Sequence, residues 1–151
     1  MTGPSSTDHA WVTRVALVVT AGGAALLVPW VLYLAVTLPE APPSGAWRLA
    51  WVGYDVALGL SLAVSSWLIW TRRRAAVVSL AVSAVLVLSD AWFDVCLSWG
   101  TSGQTWALVS AFALELPVAL LLGWEAARVL ARSGRLQQRQ RQDRPGPQDP
   151  T

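Results

Sequence analysis

The stretch AAVVSLAVSAVLVLSDAWFDVCLSW, residues 75–99, decides the fold. It runs for 25 residues, and its only charged side chains are Asp90 and Asp94. An α-helix rises 1.5 Å per residue, so about 20 apolar residues cross the hydrocarbon of a bilayer. The stretch lacks the period-two alternation of a transmembrane barrel strand. A helix that is apolar on all sides over this length belongs in lipid. Three further stretches read the same way. Residues 15–38 carry no charge, residues 49–70 carry Asp55, and residues 105–127 carry Glu115 and Glu125. The first of these contains Pro29 and Trp30 and is too long for the apolar region of a typical secretory signal, so it reads as a retained helix.

Composition agrees. Of 151 residues, 54% are hydrophobic, only 13% are charged and ten are Trp, which excludes a disordered, fibrous or disulfide-rich chain. The segments joining the spans, residues 39–45, 71–74 and 100–104, are short, and short links make consecutive helices antiparallel neighbours. The expected fold is all-α: an integral membrane four-helix up-down bundle over residues 11–132. A disordered arm, residues 1–10, precedes it, and a basic tail, residues 133–151, disordered beyond a short helical extension, follows.

Arginine sets the direction of threading. The chain has 11 Arg and no Lys. Arg14, Arg72, Arg73, Arg74 and the run from Arg128 to Arg144 fall on one side, against Arg48 alone on the other. The positive-inside rule then places both termini in the cytoplasm of a cell (inner or plasma) membrane. Trp47, Trp51, Trp99 and Trp106 fall near the outer boundary, and Trp11, Trp67, Trp70 and Trp124 near the inner one, where indoles favour the headgroup level. Trp30 and Trp92 lie deeper and are freer to line a site. Arg128, Arg132, Arg135 and Arg139 share one helical face. With Arg72, Arg73 and Arg74, that face suits anionic headgroups at about 1 kcal/mol per Arg near the surface. A plain topology signal explains the same residues. Nucleic acid is not an expected partner.

The single His9 and single Cys96 leave no set for haem, zinc, a Ser-His-Asp triad or an intrachain disulfide, and no cofactor is expected. The chemistry that remains is acidic. Depth follows from the helical rise: Asp55, Asp90, Asp94 and Glu115 lie roughly 12, 13, 7 and 15 Å below the outer boundary. Four acids on three helices thus share the outer half of the bilayer. Glu125 lies near the inner boundary and is expected to pair with Arg128.

The faces are expected to agree with the depths. Ser79, Ser83, Asp90 and Asp94 fall on one stripe of the third span. Arg48, Asp55, Gly59, Leu62 and Ser66 form a stripe on the second, and Gln104, Leu108, Ala111, Glu115, Ala119 and Leu122 one on the fourth. Tyr33 and Thr37 are placed to add hydroxyls from the first span, and Ser83 and Trp92 are further supporting candidates. Pro117 removes a helical hydrogen bond and frees the carbonyl of Ala113, loosening the turn that holds Glu115. Such breaks are tolerated where the backbone is buried in protein or lines a wet cavity.

No Lys, Arg or His lies within the spans, and Arg48 is the only base near the outer face, in reach of the shallow Asp94. Uncompensated carboxylates in lipid are costly, so protons or a cation must neutralise the others. Three readings follow. The carboxyls form a proton or cation site, for which transport would call for a homodimer. They act as structural or partner-binding groups that only hold helices together, at about 0.6–2 kcal/mol per hydrogen bond. They belong to a metal-dependent membrane enzyme, since Asp90 and Asp94 have the D-x-x-x-D spacing of some prenyl- and phosphatidyl-transferases. The further Asp and basic residues of those families are missing here, so an enzyme is the least favoured reading.

The strings Val52-Gly53-Tyr54-Asp55-Val56-Ala57, Ser89-Asp90-Ala91-Trp92-Phe93-Asp94-Val95 and Leu114-Glu115-Leu116-Pro117 resemble small four-span inner-membrane proteins of high-GC Gram-positive bacteria. Arg without Lys fits a GC-rich coding bias. The resemblance covers the four spans and implies fold and location. That group has no assigned activity, so no residue role comes with it.

Overall fold

The structure, a computed structural model, describes residues 6–37 and 46–142. Helix α1 spans Ser6–Thr37, α2 Trp47–Trp70, α3 Ala76–Ser98 and α4 Gln104–Ser110. A π-helical turn, Ala111–Glu115, joins α4 to α5, Leu116–Gln142, so these three pieces make the fourth span. Among the described residues there is no strand. Four helical segments are long and apolar enough to cross a membrane: Trp11–Thr37, Arg48–Trp70, Ala76–Ser98 and Gln104–Arg132. The all-α four-helix bundle stands as expected.

Helix starts and ends differ from the sequence reading. α1 begins at Ser6, inside the arm read as disordered, where Ser6-Thr7-Asp8 supplies residue types that cap and open helices. α5 continues to Gln142, through a run of Arg and Gln that are good helix formers. Residues 1–5, 38–45 and 143–151 lie outside the described residues, as do the side chains of Trp47 and Arg135.

The turn after α2 has a recognisable cause. The Arg72 N–H donates to the Ile69 carbonyl at 3.1 Å, and the Arg73 N–H to the Leu68 carbonyl at 2.9 Å. These two bonds are a Schellman cap, which needs a left-handed residue at its centre. That residue is Arg72, with φ 52°, where glycine is usual. The turn after α3 uses the expected residue, Gly100, at φ 76°.

Consecutive helices pack side by side: α1 on α2, α2 on α3, α3 on the fourth span. The ring closes through α1 and α5, and α1 does not reach α4 or the π turn. The bundle is therefore closed at its basic end, where α1 begins and α5 leaves, and more open at the far end. Its core is modest: Leu58, Leu62, Leu80, Val87, Ala119, Leu122 and Ala126. Valines, leucines and tryptophans cover the outside instead. Lipid tails are as apolar as leucine, so burial alone cannot drive the helices together, and close approach and polar links must do so. Gly23 gives the first: a Cβ there would meet Leu62 at 3.1 Å. Serines give the second. Ser65 Oγ lies 2.7 Å from Ser79 Oγ and 3.0 Å from Ser83 Oγ, and Ser61 Oγ lies 2.7 Å from Ser83 Oγ.

Candidate functional site

The four acids of the apolar spans come from α2, α3 and the π turn, and they feel one another. Asp90 is within electrostatic reach of Asp94, Asp55 and Glu115. Asp94 is likewise within reach of Asp55 and of Glu115. Asp55 is the most buried, at 3% exposure, and sits in a groove of about 320 Å³ between α1 and α2. The Trp30 indole N–H donates to its carboxyl. Asp90 and Asp94, one turn apart on α3, and Glu115 are half-buried.

A tyrosine sets the register of α2 against α3 beside these acids. The Tyr54 hydroxyl donates to the Leu86 carbonyl at 2.6 Å, and the Ser89 hydroxyl beside it donates to the Val85 carbonyl at 2.9 Å. Its ring meets Phe93 edge-on, at 6.4 Å between centroids and 78° between planes. Tyr54 precedes Asp55 in the chain and Leu86 lies one helical turn before Asp90, so the Tyr54–Leu86 bond holds the two backbones that carry the acids.

Glu115 closes the π turn. The Leu116 N–H donates back to the Ala111 carbonyl, five residues away. Pro117 has no N–H to offer Ala113, and the loosening expected at this turn is present. One Glu115 oxygen lies beside Ser110, whose hydroxyl donates to the Ala107 carbonyl at 3.1 Å, while its Oε2 is buried with no hydrogen-bond partner. Buried polar atoms without partners are rare, and π turns inside α-helices often mark functional positions.

The supporting candidates fare unevenly. Tyr33 is exposed and its ring lies against Trp30, with centroids 5.8 Å apart and planes tilted by 32°. The Thr37 hydroxyl donates to its own helix, at the Tyr33 carbonyl. Ser83 is buried among Ser61 and Ser65, and its hydroxyl bonds these serines. Trp92 is 68% exposed and faces outward from the bundle. Arg48 is half-buried in the first turn of α2, at the end of the bundle where α3 stops. Among the described residues, no three of the acids are arranged to hold a metal ion.

The basic end carries a second polar group. Arg128 Nη2 pairs with Glu125 Oε2 at 2.7 Å, as expected from their spacing. The Thr13 hydroxyl donates to Glu125 Oε1 at 2.8 Å and accepts from Arg128 at 3.3 Å, tying α1 to α5. Arg72 and Arg73 stand exposed in the turn between α2 and α3, with Arg74 beside them.

Sequence reasoning missed Tyr54, the Trp30–Asp55 bond and the serine ladder. The ladder left a trace: Ser61 and Ser65 on α2, and Ser79 and Ser83 on α3, are each four apart and so share a helical face. The chain matches no protein-family profile, and no curated protein or solved structure is similar to it.

Proposed function

We propose that this is a multi-pass protein of the cell membrane, with both termini cytoplasmic, whose carboxylates Asp55, Asp90, Asp94 and Glu115 form a proton-exchanging site reached from the outer side. The observation that carries this reading is the Glu115 Oε2 atom, buried without a partner in a π turn beside three coupled acids. Mutual repulsion in a medium of low dielectric must be relieved, and Arg48, at the start of α2, is one base against four acids. A proton needs no coordination shell. A metal ion needs several converging ligands, and the acids do not supply three. The same geometry argues against the metal-dependent enzyme. Access from the far end is supported by the looser packing there, where α1 touches neither α4 nor the π turn.

The test replaces Asp90 by Asn and Glu115 by Gln, which keep shape and hydrogen bonding but cannot titrate. Wild type should show an infrared carboxyl band that changes with pH across about pH 5–9, a range in which ordinary exposed Asp and Glu stay charged. The double variant should insert, melt normally and lose that change. An identical carboxyl response in both proteins would remove the proposal.

A second reading draws on Trp30, whose bond to Asp55 joins α1 to α2. If the carboxyls only hold helices together, Asp55→Ala should destabilise and Asp55→Asn should restore most of the loss. No carboxyl would then titrate in that pH range.

A further inference from the structure

The basic end contains a cavity of about 610 Å³ among α1, the α2–α3 turn, α3 and α5. Four arginines line it: Arg14, Arg72, Arg73 and Arg132. The carboxylate that also lines it, Glu125, is engaged by Arg128 at 2.7 Å and by the Thr13 hydroxyl at 2.8 Å. Arg132 Nη2 is buried with no hydrogen-bond partner. No described carboxylate lies within ion-pair distance of Arg14, Arg72 or Arg73. The cavity thus holds an excess of guanidinium groups, one of them with an unsatisfied buried donor. Below them its wall turns apolar, with Leu17 and Leu80.

The backbone adds an independent observation. Arg72 occupies the left-handed centre of its Schellman cap at φ 52°, a conformation that disfavours any side chain other than glycine's by roughly 1–2 kcal/mol. The strained turn presents an arginine to the cavity where glycine would serve the fold better.

We infer that this cavity binds the phosphate of an anionic phospholipid, with the arginines on the phosphodiester and the lipid's glycerol end against Leu17 and Leu80. Guanidinium groups grip phosphate oxygens through paired N–H donors. A basic pocket between membrane-spanning helices is the kind of site such headgroups occupy. A free phosphate shares the charge but gains nothing from the apolar wall. The inference does not rest on the carboxylate site and stands or falls separately.

The experiment titrates the full chain, stripped of lipid in detergent, with dioleoylphosphatidylglycerol or dioleoylphosphatidylcholine and counts bound lipid by native mass spectrometry. A parallel melting series adds inorganic phosphate alone. Wild type should bind one phosphatidylglycerol in clear preference to phosphatidylcholine. Arg72→Gly and Arg132→Gln should each weaken phosphatidylglycerol about 5-fold, which is the effect of about 1 kcal/mol per removed charge. Arg72→Gly should melt no lower than wild type without lipid, because it also relieves the strained turn, so its lost affinity is not unfolding. Arg74→Gln removes the same charge beside the cavity but outside its lining, and should cost clearly less affinity than Arg72→Gly, about 2-fold or under. Equal affinity for the two lipids would overturn the inference. So would an Arg74→Gln loss as large as that of Arg72→Gly, since bulk charge would then be the cause. Stabilisation by inorganic phosphate equal to that by phosphatidylglycerol would overturn the lipid as the source of the phosphate.

Discussion

Replacing Glu125 by Ala should be among the most damaging single changes in the bundle. The side chain is 2% exposed, and its partner Arg128 is 15% exposed. Removing Glu125 takes away the Oε1 acceptor for Arg128 at 2.9 Å and for the Thr13 hydroxyl at 2.8 Å, and with it the 2.7 Å ion pair to Oε2. Breaking a buried pair from one side typically costs about 3–5 kcal/mol, because the remaining charge is left desolvated. Arg128 sits near the end of the fourth apolar span, Gln104–Arg132, and its long stem lets the guanidinium move toward water, so about 2–3 kcal/mol is the expected loss. Removing both charges together, as Glu125→Leu with Arg128→Leu, should restore stability to within about 1 kcal/mol of wild type. With Glu125→Leu and Arg128→Leu as the two single variants, the double-mutant cycle should show a coupling of about 2 kcal/mol, measured by reversible unfolding in mixed micelles. Because Thr13 joins α1 to this pair, amide exchange in the first turns of the α1 span should rise in Glu125→Ala and much less in the double variant. A Glu125→Ala protein within about 0.5 kcal/mol of wild type, an ordinary result for a surface position, would refute the reasoning.

Pro117→Ala restores an N–H that can bond the Ala113 carbonyl, so the π turn should regularise and stability should rise by up to about 3 kcal/mol. Unchanged stability together with unchanged amide exchange at Leu116 would show that the proline is not the cause of the turn. Reporter fusions should place residue 151 and the Arg72–Arg74 turn inside the cell, and Ser44 and Ser102 outside; an external reporter at residue 151 would reverse the proposed threading.

Membrane-spanning helices were legible because hydropathy over about 20 residues is enough to define them. The faces they turn to each other were not. The polar pattern of the second span suggests a stripe through Asp55, Gly59, Leu62 and Ser66. The structure buries Asp55, Leu58, Leu62 and Ser65, a stripe rotated by a fraction of a turn. Both stripes are helical, and the sequence offers little to choose between them. In a water-soluble bundle the outer face would be polar and would show which way the helix points. Here Val56, Leu60 and Val64 are exposed and as apolar as the core. Trp92 shows the same limit. Its depth suggested a lining role, but depth along a helix carries no information about azimuth.

The acids were visible for the opposite reason: a carboxylate in an apolar run contrasts with everything around it, and its depth follows from the helical rise. What the pattern could not carry was the register change at Ala111–Glu115. A π turn closes its hydrogen bond one residue later than an α turn, so a projection at 3.6 residues per turn drifts by roughly 100° across it. Residues after the turn are therefore displaced on the wheel relative to those before it. The fourth span nonetheless buries Ala111, Ala119 and Leu122, all members of the stripe expected from sequence, because the extra residue is absorbed locally. Absorbing it leaves Glu115 where the backbone is least regular, with one oxygen beside Ser110 and the other unpartnered. A regular helix could bury the same alanines without a proline. The proline loosens the turn that carries the acid two residues before it, which is why the proton-exchange reading puts Glu115 at the centre of the site.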